Sequence, residues 1–106
     1  MAATPAEYFT ELPGKVNKDK IKGMNAIYQW DITGDTGGKW HVILKDDNLA
    51  IGQGQAASPN ITLTLDGQNF MDLVTGTLNG QMAFLTGKLK IQGDMTLAMK
   101  LQSIIG

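Results

Sequence analysis

Residues 87–101 read Gly-Lys-Leu-Lys-Ile-Gln-Gly-Asp-Met-Thr-Leu-Ala-Met-Lys-Leu. The first part alternates: Leu89 and Ile91 fall on one side, Lys88 and Lys90 on the other, the pattern of a half-buried strand from Lys88 to Gln92. Gly93 and Asp94 break it, and Asp94 can cap a helix that follows. That helix is apolar over most of its circumference. Leu97, Leu101 and Ile104 form a stripe at i, i+4, i+7, enough to dock one helix on a sheet. Met95 and Met99 lie off to the side of that stripe, so the apolar arc is wider than one sheet face needs.

A strand this late in the chain has to join strands formed earlier, and residues 26–65 supply four. Ala26, Tyr28, Trp30 and Ile32 share one face of the first. Trp40, Val42 and Leu44 share a face of the second, Leu49 and Ile51 mark the third, and Ile61, Leu63 and Leu65 alternate with threonines in the fourth. Period-two alternation means one covered and one open face, which favours antiparallel pairing. Residues 34–38 and 46–48 are short, turn-rich links, too short for parallel crossovers. The first three strands should form a meander; the longer link from Gly52 to Pro59 leaves the fourth strand's position open.

Helices are signalled on both sides of this block. Thr4, Pro5 and Glu7 mark a helix start with a capping box, carrying Tyr8, Phe9 and Leu12 and stopped by Pro13-Gly14. Asn17 can cap a short second helix that Gly23 ends. Asp66 can cap one carrying Phe70, Met71, Leu73 and Val74 and closed by Gly76. Asn79 can cap another carrying Met82, Phe84 and Leu85 and closed by Gly87. The expected fold is α+β: one domain over residues 1–106, with a five-stranded, mainly antiparallel sheet covered on one face by helices.

Composition narrows the function classes. The formal net charge is −1, so bulk charge does not drive nucleic-acid binding. Cysteine is absent, which removes disulfides, thiolate nucleophiles and Cys-ligated zinc, and suits a reducing cytoplasm. Residues 33–39 superficially resemble a phosphate loop, but Thr33 stands where its first glycine belongs and Trp40 follows the lysine. Gly52-x-Gly54-x-x-Ala57 has dinucleotide-fingerprint spacing, but Ser58-Pro59 follows where a helix should begin. His41 is the single histidine, on the polar face of a strand. Asp46 and Asp47 suit a hairpin tip better than acid–base chemistry. No nucleophile has a visible activator, so no enzyme, metal or cofactor is expected. Met82, Met95 and Met99 flank one strand. Flexible thioethers fill ordinary core gaps, and they equally suit a pocket that takes chains of varied shape. The residues alone leave both open.

The stretch Phe84-Leu85-Thr86-Gly87-Lys88-Leu89-Lys90-Ile91-Gln92-Gly93-Asp94-Met95-Thr96-Leu97-Ala98-Met99-Lys100-Leu101 resembles the C-terminal signature of the sterol carrier protein type 2 family. The order of elements upstream agrees over essentially the whole chain, with Gly80 where members often have proline after the helix-capping Asn. The resemblance implies an apolar tunnel between sheet and helices. It also implies a non-catalytic carrier of fatty acids, fatty acyl-CoA, phospholipid or sterol. Carried over by position, Met82, Phe84, Leu85, Leu89, Ile91, Met95 and Met99 become candidate tunnel lining, with Trp30 and Phe70 placed by element order alone. Gln81 and Gln102 could meet a polar ligand end. The Lys88/Lys90 face and the cluster Lys15, Lys18, Lys20 and Lys22 could meet an acyl-CoA phosphate or a membrane. A monomer with transient membrane contact is expected, and the final residues 103–106 show no peroxisomal tripeptide, so a cytoplasmic setting is expected too. Two alternatives stand: a protein-interaction or dimerisation module, and an accessory domain presenting acyl substrates to a separate enzyme.

Overall fold

The computed structural model describes residues 2–105. Helix α1 spans Pro5–Lys15. The Thr4 hydroxyl accepts the Glu7 N–H at 3.3 Å and donates to the Glu7 carboxylate at 3.1 Å. The helix does not stop at Pro13-Gly14 but runs through both to Lys15. Pro13 sits so near the end that it removes only the bond to the Phe9 carbonyl. The Val16 N–H still reaches Leu12 O at 3.0 Å, and Lys15 pairs with Glu11 at 2.7 Å on the outer surface. Helix α2, Lys18–Ile21, is capped by Asn17.

Strands β1 (Ala26–Thr33), β2 (Gly38–Lys45) and β3 (Asn48–Gln53) form the expected meander, with Trp30 opposite Trp40. Asp46 and Asp47 both take positive φ, 53° and 63°, the two-residue turn that matches strand twist. Strand β4 (Ile61–Asp66) then lies on the far side of β1 and parallel to it, giving the order β3-β2-β1-β4-β5. The sheet is thus antiparallel except at this one pair.

The link 54–60 makes that parallel connection without a helix. It crosses three strand spacings, about 14 Å. It hardly needs to run back along the strands, because Gln53 is level with Trp30 while Ile61 is level with Tyr28. Gln29 anchors it. This side chain is on the sheet face away from the helices, yet it is fully buried. Its Oε1 accepts the Ala56 N–H at 2.8 Å, and its Nε2 donates to Gly54 O at 3.3 Å and to Asp31 at 3.0 Å. His41 Nδ1 lies 3.0 Å from the same Gly54 carbonyl, a structural place for the single histidine.

Helix α3 (Gly67–Val74) is capped by Asp66 and α4 (Gly80–Leu85) by Asn79. Strand β5 is Lys90–Gly93 rather than Lys88–Gln92. The Lys88 and Leu89 N–H groups both donate to Ala83 O, at 2.8 and 3.0 Å, so they close α4 instead of joining the ladder. Gly93 must be glycine: its φ is +115°, and a Cβ there would come within 2.6 Å of Asn60 O.

The C-terminal helix is two helices, α5 (Met95–Met99) and α6 (Gln102–Ile105). Between them the bonds tighten to i→i−3, Lys100 N–H to Leu97 O and Leu101 N–H to Ala98 O, a turn that ends a helix. Leu101, Ile104 and Ile105, at i, i+3 and i+4, all enter the core, while Met95 and Met99 stay outside. On the helix-covered face Phe9, Trp30, Trp40 and Phe70 form an aromatic cluster, with ring centroids 5.1–6.2 Å apart.

Candidate apolar ligand cavity

A cavity of about 680 Å³ opens between α3, α4, β5 and α5, inside the usual range for small-molecule sites, about 300–1,000 Å³. Strand alternation supplies its floor: Ile91 points in from β5, opposite Leu63 of β4, and Leu89 joins it from the turn before. Leu73 on α3 and Leu101 after α5 complete the buried part. Phe84 and Gln81 come from α4, and Met95, Ala98 and Met99 from α5. Gly76, Leu78, Asn79 and Gly80 form the rim. No ionisable side chain is among these residues.

Six sequence candidates meet here: Gln81, Phe84, Leu89, Ile91, Met95 and Met99. Four do not. On a short helix, residues three apart share a face. Gln81 and Phe84 take the cavity side of α4, Ala83 enters the core, and Met82 and Leu85 are left on a stripe facing water, 55% and 69% exposed. Trp30 and Phe70 are fully buried in the aromatic cluster and do not reach the cavity. Gln102 is the other proposed polar contact; its side chain lies outside the described ones. Lys90 alternates with Ile91 and so faces the opposite side of the sheet, and Lys15 is paired with Glu11.

Sequence reasoning missed Leu73, Leu78, Ala98 and Leu101. For Ala98 a signal existed, because it lies at i+3 from Met95 and shares its helix face. Leu73 and Leu101 read as core, and they are core residues that also form the cavity floor. The rim 76–80 follows a loop path that local patterning does not encode.

Two tyrosine hydroxyls hold the outer wall. Tyr28 donates to Leu97 O at 2.6 Å and Tyr8 to Ile105 O at 3.4 Å. Burial pushes both phenols up to about 12, and the Asp94 charge adds to the effect at Tyr28. In the unfolded chain they titrate near 10. The stabilising effect is therefore fully present below pH ~10 and is lost as pH rises toward ~12, since only the unfolded state gives up its protons in that window. The denaturation midpoint should fall steeply between pH 10 and 12. Tyr28→Phe should lower stability at pH 7 by about 0.5–1.5 kcal/mol and flatten the alkaline fall. An equally steep fall in that variant would mean Tyr28 is not a source of it.

The SCP-2 sterol transfer family model matches residues 7–106. The chain belongs to this family. It is 36% identical over 101 residues to Hydroxysteroid dehydrogenase-like protein 2 of Xenopus laevis, covering 94% of this chain and 24% of that protein. It thus spans about a quarter of such relatives. Among solved structures, the sterol carrier protein domain 2 of Helicoverpa armigera superposes with a TM-score of 0.76 at 30% identity, over 91% of this chain and 80% of that one. Palmitated SCP2L2 of Aedes aegypti gives 0.74 at 29%, over 94% and 89%. The five-stranded α+β architecture is that of an SCP-2 domain, a lipid-binding fold. Among the described residues no helix is long and apolar enough to cross a membrane.

Proposed function

We propose that this chain is a non-catalytic carrier that holds the acyl part of a fatty acid, fatty acyl-CoA or phospholipid in the 680 Å³ cavity. The observation that carries this is the lining itself: apolar side chains from four elements around one space, with no ionisable group among them. Phe84, Leu89, Ile91, Met95 and Met99 would hold the chain. At the mouth, Asn79 Oδ1 already accepts the Gln81 and Met82 N–H groups. That leaves the amide nitrogens of Asn79 and Gln81 to meet the polar end. Met82 and Leu85, exposed beside the mouth, would make any transient membrane contact. The palmitated SCP2L2 structure supports an acyl ligand. The cysteine-free composition suits a cytoplasmic setting.

A second reading is that the domain presents acyl substrates to a separate enzyme. The dehydrogenase name of a relative matched over only 24% of its length favours it.

Cavity energetics supply a test. Closed voids in engineered cores cost about 24 cal/mol per Å³, and a domain has only about 5–15 kcal/mol of stability. A dry void of this size would exceed that, so the empty cavity must hydrate or loosen. The freshly purified protein should carry a one-to-one lipid adduct in native mass spectrometry, identifiable after organic extraction. Restoring that lipid to stripped protein at ~100 times its Kd should stabilise it by about 2.7 kcal/mol, a rise in Tm of roughly 10–20 °C. An apo protein that takes up no fluorescent fatty acid would overturn the carrier reading.

A further inference from the structure

We propose that the methionines at the cavity mouth are a peroxide-sensitive modification site that empties the cavity when oxidised; this rests on the carrier reading. Among the described residues, three of the five exposed large apolar side chains are methionines: Met99 at 84%, Met82 at 55% and Met95 at 48%. Met95 and Met99 also line the cavity, so two of these three exposed thioethers are part of the wall a ligand would touch. Met24, by contrast, is buried in the core at 9%.

The step needs a hydroperoxide, either hydrogen peroxide or an organic one. The thioether sulfur attacks the outer peroxide oxygen; an S–O bond forms and the O–O bond breaks. Sulfur is oxidised by two electrons, and the peroxide, after taking a proton, leaves as water or an alcohol. The product is a polar, chiral sulfoxide in place of a flexible apolar side chain, and sulfoxide reductases reverse it. An acyl chain seated against Met95 and Met99 would then press on sulfoxide oxygens that it cannot hydrogen-bond, a cost borne only by the loaded state.

The test is graded treatment with hydrogen peroxide, peptide mapping of each methionine, and titration with a fluorescent fatty acid. Met99, Met82 and Met95 should oxidise before Met24. Affinity should fall about tenfold or more once Met95 and Met99 are converted, and methionine sulfoxide reductase should restore it. In the combined variant Met82→Leu, Met95→Leu, Met99→Leu, measured against its own untreated affinity, peroxide should change nothing. Unchanged affinity in protein mapped as oxidised at Met95 and Met99 would overturn the proposal. So would Met24 oxidising in step with Met99, or an equal loss in the triple variant. Untreated protein that binds no fatty acid fails the carrier reading instead.

Discussion

Ala98→Trp is expected to weaken binding of long-chain fatty acids by about two orders of magnitude while raising the melting temperature. Ala98 is half-buried on α5 and faces the cavity on the same helix side as Met95. An indole grown from this position enters a space of about 680 Å³, so it fills a void instead of overpacking a core. If it displaces about four methylenes of ligand, at about 0.8 kcal/mol each, affinity falls roughly a hundredfold. The same indole gains apolar contacts in the empty protein, and cavity filling typically adds about 0.5–2 kcal/mol, worth several degrees of Tm. Met99 is the poorer site for a plug, because at 84% exposure it stands at the open mouth of the cavity, where a tryptophan would leave the inner space free. Fluorescent fatty acid titration beside a thermal melt reads both quantities. Unchanged affinity would remove Ala98 from the binding wall. Lost affinity with a lowered Tm would mean the space beside Ala98 cannot accept an indole and behaves as packed core.

The elements legible in the sequence are those set by local rules. Thr4, Asn17, Asp66, Asn79 and Asp94 all cap the helices they were read to cap, because a cap depends only on the next two or three N–H groups. Strand faces were legible for the same reason: Tyr28, Trp30, Val42 and Leu63 point inward as alternation requires. What failed was decided by tertiary context. Proline stops helices in general, but Pro13 lies in the last turn, where the cost is small and the packing of Tyr8, Phe9 and Leu12 outweighs it. Alternation puts Gln29 on the sheet face opposite Tyr28 and Trp30, as observed, but it carries no sign that the 54–60 link crosses that face and buries it. Lys88 and Leu89 alternate like strand residues, yet the Ala83 carbonyl claims their N–H groups. In the C-terminal segment the apolar stripe predicts one helix, where the structure has two. Leu101, Ile104 and Ile105 share a face at i, i+3 and i+4 with or without a break, so the apolar pattern carries no sign of the tightened turn at Lys100. For the cavity, the signature located the right elements, but choosing the side chains required the rotation of each helix. That is why the sequence points to Met82 and Leu85 as lining and not to Ala98.

The aromatic cluster carries a different expectation from the cavity. Phe9→Ala should cost about 3–5 kcal/mol of folding stability and leave fatty acid affinity nearly unchanged in the fraction that remains folded. Phe9 is 1% exposed. Its ring stacks on Trp40 at 5.1 Å and lies 5.2 Å from Phe70, 5.9 Å from Tyr8 and 6.2 Å from Trp30. Truncation therefore removes both transfer energy and several aromatic pairs, each worth about 0.5–1.5 kcal/mol beyond its area. For a domain of this size the loss should lower Tm by roughly 12 °C or more. None of the five rings lines the cavity, so the site should still form wherever the chain is folded. Chemical denaturation gives the first quantity, and titration well below the new Tm gives the second. A small stability loss would mean α1 is not the clamp that the cluster implies. Affinity falling in proportion to stability would mean that the cavity wall depends on α1 through the Tyr8 hydroxyl and α6. In the expected case, the fold is secured around Trp30 and Phe70, and α4 and α5 are left free to keep an apolar space open beside it.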